Sequence, residues 1–237
     1  MEEASERVRG PVWARETTKR RSALTREAIV DTAVALADAE GLSAVSIRRV
    51  ATELGARAMS LYSHIERKED LLDLMFDQVA GETSFEGGLP AGWREGVLAI
   101  SRASREAMLR HPWMVDLASR GPKVGPNSLR HAEQSLVALA GLDIDAESKW
   151  RILTAADDYT MGHVIREALL YDGPKREGIT RYEQDLALRP YLAGLVESGE
   201  FPNLAPLLGT GIIGIDDNFE RGLKWLLDGI SAELSLP

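Results

Sequence analysis

The sequence predicts an all-α fold, with a small N-terminal domain of three helices and a larger helical domain after it. Apolar residues recur three and four positions apart along most of the 237 residues, which is the spacing that places them on one face of a helix. No segment shows the alternation expected of a strand. Glycine and proline interrupt the pattern, most clearly in EGGLPAG at 86–92. Beyond that break we expect helices near 91–110, 112–120, 127–141, 146–170, 180–198 and 217–234.

The first 23 residues are predicted to form a flexible basic arm. Within positions 7–21, a single acid, Glu16, is surrounded by six basic residues: Arg7, Arg9, Arg15, Lys19, Arg20 and Arg21. Pro11 and the polar residues before Leu24 disfavour a stable helix. Such a run is either a solvated tail or an arm that follows a nucleic-acid backbone or enters its minor groove.

Residues 46–68, SIRRVATELGARAMSLYSHIERK, predict two short amphipathic helices joined by a turn at Gly55. Ser46 is a good N-cap for the first helix. The inward positions repeat at helical spacing: Ile47, Val50, Ala51 and Leu54, then Ala58, Leu61, Tyr62 and Ile65. The outer face is basic or polar apart from one methionine: Arg48, Arg49, Arg57, Met59, Ser60, Ser63 and His64. A helix-turn-helix that reads DNA has this arrangement, although any small helical hairpin has an apolar seam and a polar back.

The net charge of −9 is divided unevenly along the chain. Residues 1–68 hold 12 Lys and Arg against 10 Asp and Glu, whereas residues 69–237 hold 16 against 27. The N-terminal part is therefore +2 and the remainder −11. This division fits an N-terminal domain that approaches phosphates and a larger domain that stays away from them.

The composition argues against several classes of protein. The chain has no cysteine, which excludes a disulfide framework, a thiolate metal site and a cysteine nucleophile. His111 and His163 show no metal-ligand spacing, so we expect no metal and no cofactor. No run of 18 apolar residues occurs and the N-terminus lacks an apolar signal core; we therefore expect a cytoplasmic protein without a membrane partner.

Enzymatic function is not supported by the motifs. GTGIIG at 209–214 fits a dinucleotide-binding fingerprint, but that motif needs a strand on each side, and too few residues remain before Pro237. There is no G-x-S-x-G nucleophile motif. Asp157 and Asp158 are adjacent and point to different faces of a helix, which makes them a poor acid–base couple.

Residues 24–81 resemble the N-terminal domain of the TetR (tetracycline repressor) family of bacterial transcriptional regulators. The resemblance rests on TREAIVDTAVALADAEGL, SIRRVATELG and SLYSHIERKEDLL, and especially on LG, LY-x-H and K-x-x-LL at these spacings. HPWMVDLASRGPKVGPNSLRHAE and NFERGLKWLLDGI resemble the tetracycline-repressor-like C-terminal domain. The resemblance implies a helix-turn-helix DNA-binding domain at 24–70 and a helical ligand-binding and dimerisation domain at 71–237.

The resemblance also implies which residues contact DNA. Arg48 falls where family members place an arginine that reaches a base edge. The base-facing start of the recognition helix corresponds to Arg57, Ala58, Met59 and Ser60, and the phosphate contacts to Ser46, Tyr62, His64 and Lys68. Tyr62 could instead belong to the core, and His64 could only cap a turn. Many relatives carry other residues at 58–60, so the operator sequence cannot be copied from them.

The last helix carries two apolar faces. One contains Phe219, Leu223, Leu226 and Ile230, and the other Gly222, Trp225 and Gly229. The second face either packs within the chain or, as the resemblance implies, forms a homodimer interface. A two-fold dimer would hold two recognition helices about 34 Å apart, one turn of DNA, and would require a palindromic operator.

A small-molecule site is expected in the larger domain. Asp157 interrupts the apolar face formed by Trp150, Leu153, Met161 and Val164, and a carboxylate there is costly unless it is paired. It either pairs with a nearby arginine or contacts a cationic or hydroxylated ligand. Trp113, Met114 and Met161 are candidate apolar lining residues.

The expected function is therefore a ligand-responsive transcriptional regulator. As a homodimer, it would repress by binding a palindromic double-stranded DNA operator, and a small-molecule effector would release it. The alternatives are a helical interaction protein or a helical enzyme without DNA binding.

Overall fold

A computed structural model describes residues 13, 24–121, 124–176, 178, 180–209 and 218–237. Its regular structure within these ranges is helical, which confirms the all-α prediction. Two 3-10 turns, Leu42–Ala44 and Gly81–Thr83, accompany the α-helices. The helices are α1 (Arg26–Glu40), α2 (Ile47–Glu53), α3 (Ala58–Leu61), α4 (Lys68–Ala80), α5 (Trp93–Arg110), α6 (Trp113–Ala118), α7 (Pro126–Ala138), α8 (Ala146–Arg176), α9 (Arg181–Glu197), α10 (Ala205–Gly209) and α11 (Phe219–Leu234).

Helices α1–α3 form an N-terminal head, and hydroxyl side chains cap the starts of α1 and α2. The Thr25 hydroxyl accepts the backbone N–H of Ala28 at 3.1 Å, and the Ser46 hydroxyl accepts that of Arg49 at 3.1 Å. These bonds satisfy N–H groups that have no partner inside the helix. Gly55 adopts φ +62° between α2 and α3, a conformation that glycine reaches without a steric penalty.

The second helix of the pair is shorter than the spacing predicts. Helix α3 ends at Leu61, and the backbone N–H groups of His64 and Ile65 both bond to the Leu61 carbonyl at 2.9 Å. Leu61 and Ile65 are buried as predicted, but Tyr62 is 46% exposed. The inward position predicted for Tyr62 is therefore wrong.

One apolar core joins the head to the helices that follow it. Its members include Ile29 and Val30 of α1, Leu71 and Met75 of α4, and Trp113 of α6. The predicted domain boundary between residues 70 and 71 falls inside α4, which packs on both α1 and α7. The chain divides into two compact units, residues 1–155 and 156–237, and the predicted division into DNA-binding and ligand-binding domains stays a prediction.

The helices of the larger domain follow the predicted order with some differences. Helix α8 extends six residues beyond the predicted end near 170, and the short α10 was not predicted. Thr180 and Glu183 form a reciprocal capping box at the start of α9, as a Thr-x-x-Glu sequence favours. The basic arm at 1–23, apart from Trp13, and all but the first residue of GTGIIG lie outside the described residues.

In the second unit, α8 and α11 pack closely around a glycine. The Tyr159 hydroxyl donates to the carbonyl of Phe219 at 2.9 Å, and a Cβ on Gly222 would lie closer than 3.0 Å to the Tyr159 hydroxyl oxygen. Gly222 therefore has a packing role within the chain. The buried stripe of α11 is Phe219, Leu223, Leu227 and Ser231, rather than the predicted stripe through Leu226 and Ile230.

Replacing Gly222 with alanine should lower the free energy of unfolding by about 1–3 kcal/mol, because the added methyl group overpacks the Tyr159 hydroxyl. Gly194→Ala is the matched control. A Cβ added to Gly194 of α9 would have no neighbour within 4 Å, so this change should raise the free energy of unfolding by about 0.5–1 kcal/mol. Urea denaturation measures both. Combining Gly222→Ala with Tyr159→Phe should cost less than the sum of the single changes; full additivity would contradict the assigned contact.

Candidate nucleic-acid interface

The outer surface of the head is built on a fully buried seam. Val50 of α2 and Leu61 of α3 have no exposed surface, and Ile65 is 1% exposed. With those side chains turned inward, helical geometry turns Arg48 of α2 and Met59 of α3 outward. Met59 is 78% exposed.

The predicted contact residues fall on this head and at the start of α4. Ser46, Ala58 and His64 are half-buried, and the others are exposed: Arg48, Arg57, Met59, Ser60, Tyr62 and Lys68. The exposure of Tyr62 decides against the alternative of a core tyrosine. The Ser46 hydroxyl is already engaged as the cap of α2.

The turn that carries His64 is fixed through its backbone. Its carbonyl accepts a hydrogen bond from the Arg26 guanidinium of α1 at 3.3 Å, and its N–H donates to the Leu61 carbonyl. These backbone bonds leave the imidazole with part of its surface open to solvent. The capping role suggested for His64 therefore belongs to its main chain.

The basic residues of this surface divide into two groups. Arg49 forms ion pairs with Glu40 and Glu53, each at 2.9 Å, and Arg67 pairs with the buried Asp70 at 3.0 Å. Within the described part of the chain, no acidic side chain pairs with the other three: Arg48, Arg57 and Lys68. The unpaired group coincides with the predicted DNA contacts, and their charges are available to an anionic partner.

Two family models match the chain and together cover most of its length. "Bacterial regulatory proteins, tetR family" matches residues 29–75, and "Tetracyclin repressor-like, C-terminal domain" matches residues 86–234. The chain belongs to the TetR family.

Similar proteins extend along nearly the whole chain. The HTH-type transcriptional repressor DrrR1 of Streptomyces coeruleorubidus is 34% identical over 209 residues, covering 87% of this chain and 77% of that protein. An HTH-type transcriptional regulator of Saccharopolyspora erythraea is 32% identical over 236 residues, covering 98% and 96%. ActR of Streptomyces coelicolor in complex with actinorhodin has a TM-score of 0.74 at 30% identity, covering 90% of this chain and 99% of that one. These relatives confirm a transcriptional regulator rather than an enzyme.

The TetR-family head is attached to the following helices by a carboxylate that sequence reasoning missed. Asp38 of α1 accepts the indole N–H of Trp113 at 2.7 Å and lies 2.8 Å from Nδ1 of His111. The Nε2 atom of His111 lies 3.4 Å from Glu82. Asp38 and its partners are 73 and 75 positions apart, so no local pattern could have indicated the contact.

Two of the predicted ligand-lining residues, Trp113 and Met114, pack in the core. Trp113 and Met114 are 3% and 6% exposed and belong to the core shared with α1 and α4. The polar atom of Trp113 is already bonded to Asp38. Both side chains pack in this core, and their contact with a ligand stays a prediction.

Asp157 of α8 remains a candidate for ligand contact. Among the described residues it forms no hydrogen bond or ion pair, so the predicted arginine partner is absent from that set. Its side chain is exposed, yet surrounding protein atoms displace enough water that burial, reinforced by the neighbouring charge of Asp158, raises the pKa of the carboxyl to about 6. Neighbouring protein atoms thus partly desolvate the carboxyl, while the side chain remains exposed.

No helix in the described ranges is long and apolar enough to cross a membrane. Among those same residues, no three histidine or acidic side chains are grouped so that they could hold a metal ion.

The raised pKa of Asp157 predicts a pH-dependent stability. Its pKa of about 6 in the folded chain exceeds the ordinary value of 3.8, so the ionised carboxyl destabilises the folded state above pH 6 and the penalty disappears towards pH 4. Asp157→Asn should therefore be more stable than wild type at pH 7, by less than about 1 kcal/mol because the group is solvent-accessible.

Urea denaturation at pH 7 and pH 4 measures this difference. The control is Asp143→Asn, which changes an exposed aspartate just before α8. It should change the free energy of unfolding by the same amount at both pH values. A stabilising effect of Asp157→Asn that persists at pH 4 would show that its carboxyl is not the source.

Proposed function

We propose that this TetR-family regulator is a repressor that binds a palindromic double-stranded DNA operator as a homodimer and leaves it when a small molecule binds. It acts in the cytoplasm, where the operator lies. The main support for a DNA-binding surface is that its basic side chains differ in whether they form ion pairs. Arg48, Arg57 and Lys68 lack acidic partners among the described residues, whereas the adjacent Arg49 and Arg67 are neutralised.

The exposed side chains divide by role. Arg48, on the first turn of α2, reads a base edge, because a guanidinium can donate two bonds to guanine O6 and N7. The segment from Arg57 through Ala58 and Met59 to Ser60 faces the bases at the start of α3. Ser46, Tyr62, His64 and Lys68 contact phosphates, which position the protein without reading sequence.

The homodimer is proposed to form through α11. Trp225 is 63% exposed and Gly229 is exposed, while the opposite stripe of α11 is buried within the chain. An exposed tryptophan beside a glycine on a helix permits close approach by a second helix. Gly222 is omitted from this face because Tyr159 of the same chain packs against it.

The effector is proposed to contact Asp157 and Met161. The similarity to ActR, which has been solved in complex with actinorhodin, supports a small-molecule site in a chain of this architecture. An exposed carboxylate without a partner among the described residues favours a ligand that presents a positive charge or a hydroxyl group.

Selection from random double-stranded DNA tests the proposal directly. Wild-type protein should enrich a palindrome with half-sites about 10 base pairs apart, centre to centre. Arg48→Ala should relax the preference at one base pair per half-site, at a cost of about 1–3 kcal/mol, whereas Lys68→Ala should weaken binding to all sequences alike. Arg49→Ala is the control with little expected effect, because that guanidinium is held by two glutamates. Enrichment of no sequence by the wild type would refute the proposed DNA binding.

The basic arm provides a second test. If it lies along the DNA, deletion of residues 1–21 should weaken operator binding and flatten the dependence of affinity on salt, because fewer phosphates would be neutralised. DNA-binding titrations at salt concentrations between about 50 and 200 mM measure the change in this dependence. An unaltered slope would make the arm a solvated tail.

A further inference from the structure

Asp77 of α4 lies in the interior against the N-terminal end of α7. Its side chain is 4% exposed. One carboxylate oxygen, Oδ1, accepts the backbone N–H of Ser128 at 2.9 Å, that of Asn127 at 3.0 Å and the Ser128 hydroxyl at 3.1 Å. A carboxylate in this position satisfies N–H groups that α7 cannot satisfy itself, and it interacts favourably with the positive end of the helix.

The start of α7 is shaped to receive this carboxylate. Gly125, the residue before α7, has no side chain to cap the helix, and a Cβ there would lie closer than 3.0 Å to Asp77 Oδ1. The side-chain amide of Asn127 also donates to the backbone carbonyl of Asp77 at 3.1 Å. Helix α7 therefore takes its N-terminal cap from a different helix, and the two are joined through both main chain and side chain.

The same end of α4 is also joined to the head. Gln78, the next residue, donates to Asp31 of α1 at 2.8 Å. Helix α4 begins at Lys68, immediately after the turn that follows α3. A displacement of α7 would therefore act on α4 at Asp77 and reach the head through one rigid helix of 13 residues.

We propose that Asp77 is a positioning residue for DNA binding, which locks α4 to the start of α7 and so sets the orientation of the head. The consequence at DNA rests on the proposed function, whereas the joint itself can be measured without DNA.

The absence of native cysteine permits two specific spin labels in one chain. Ser43→Cys lies on the head and Glu133→Cys on α7, and both positions are exposed. Mixing labelled protein with excess unlabelled protein makes distances within a single chain dominate the measurement. The otherwise unaltered labelled protein should give one narrow distance distribution. Adding Asp77→Asn, which keeps the side-chain size but removes the charge, should broaden or split it.

Asp145→Asn is the matched control. Asp145 accepts the backbone N–H of Ser148 at 2.7 Å and so caps the start of α8, but this bond lies within one turn and joins no second element. Asp145→Asn should lower the melting temperature and leave the distribution narrow. An unbroadened distribution with Asp77→Asn, or equal broadening in both variants, would overturn the proposal.

A milder variant covers the case in which Asp77→Asn does not fold, as judged by far-ultraviolet circular dichroism. Ser128→Ala removes only the hydroxyl bond to Asp77, and it should broaden the distribution to a smaller degree. If Asp77→Asn is unfolded, a distribution unchanged by Ser128→Ala overturns the proposal.

Operator binding separates this proposal from the proposed function. On a sequence selected with wild-type protein, Asp77→Asn should bind about tenfold more weakly, within the range of typical coupling between sites, and Asp145→Asn should bind as wild type does. Failure of the wild type to select any sequence would refute DNA binding and leave the distance result standing. Wild-type affinity in Asp77→Asn, with a selected operator in hand, would overturn the role of Asp77 alone.

Discussion

The outer surface of the head depends on the burial of a helix that could not exist alone. Helix α3 has four residues, far fewer than the roughly 12–15 that an isolated helix needs in water. Leu61 and Ile65 hold it in place, because both are buried in the core that α1, α2 and α4 share. Every exposed side chain on α3 is oriented by that burial.

Electrostatic pairing then determines which cations of the head remain available. Exposed ion pairs contribute little to stability, but they do neutralise charge. Glu40 and Glu53 hold Arg49, one helical position from Arg48. Two adjacent arginines on α2 thus have different roles: one links α1 to α2, and the other keeps its full donor set for a partner.

Local sequence patterns predicted what local physics determines. The cap at Ser46 and the buried positions of Leu61 and Ile65 follow from hydroxyl chemistry and from helical spacing. The exposure of Tyr62 did not follow, because it depends on how the chain packs beyond the end of α3 at Leu61. The environment of Gly222 was equally hidden, since the sequence shows a glycine but not the Tyr159 hydroxyl that packs against it.

The hydrogen bonds that connect α1 and α4 to later helices are the feature least predictable from the sequence. Both sets of bonds are made by a carboxylate. Asp38 of α1 receives donors from His111 and Trp113, and Asp77 of α4 receives donors from the start of α7. In each case a carboxylate accepts hydrogen bonds from a distant part of the chain, so separation would leave polar groups unsatisfied at a cost of several kcal/mol. Apolar contacts tolerate small sliding movements, whereas these hydrogen bonds are directional. Asp38 thus restricts how the head can move against α6, and Asp77 restricts how α4 can move against α7.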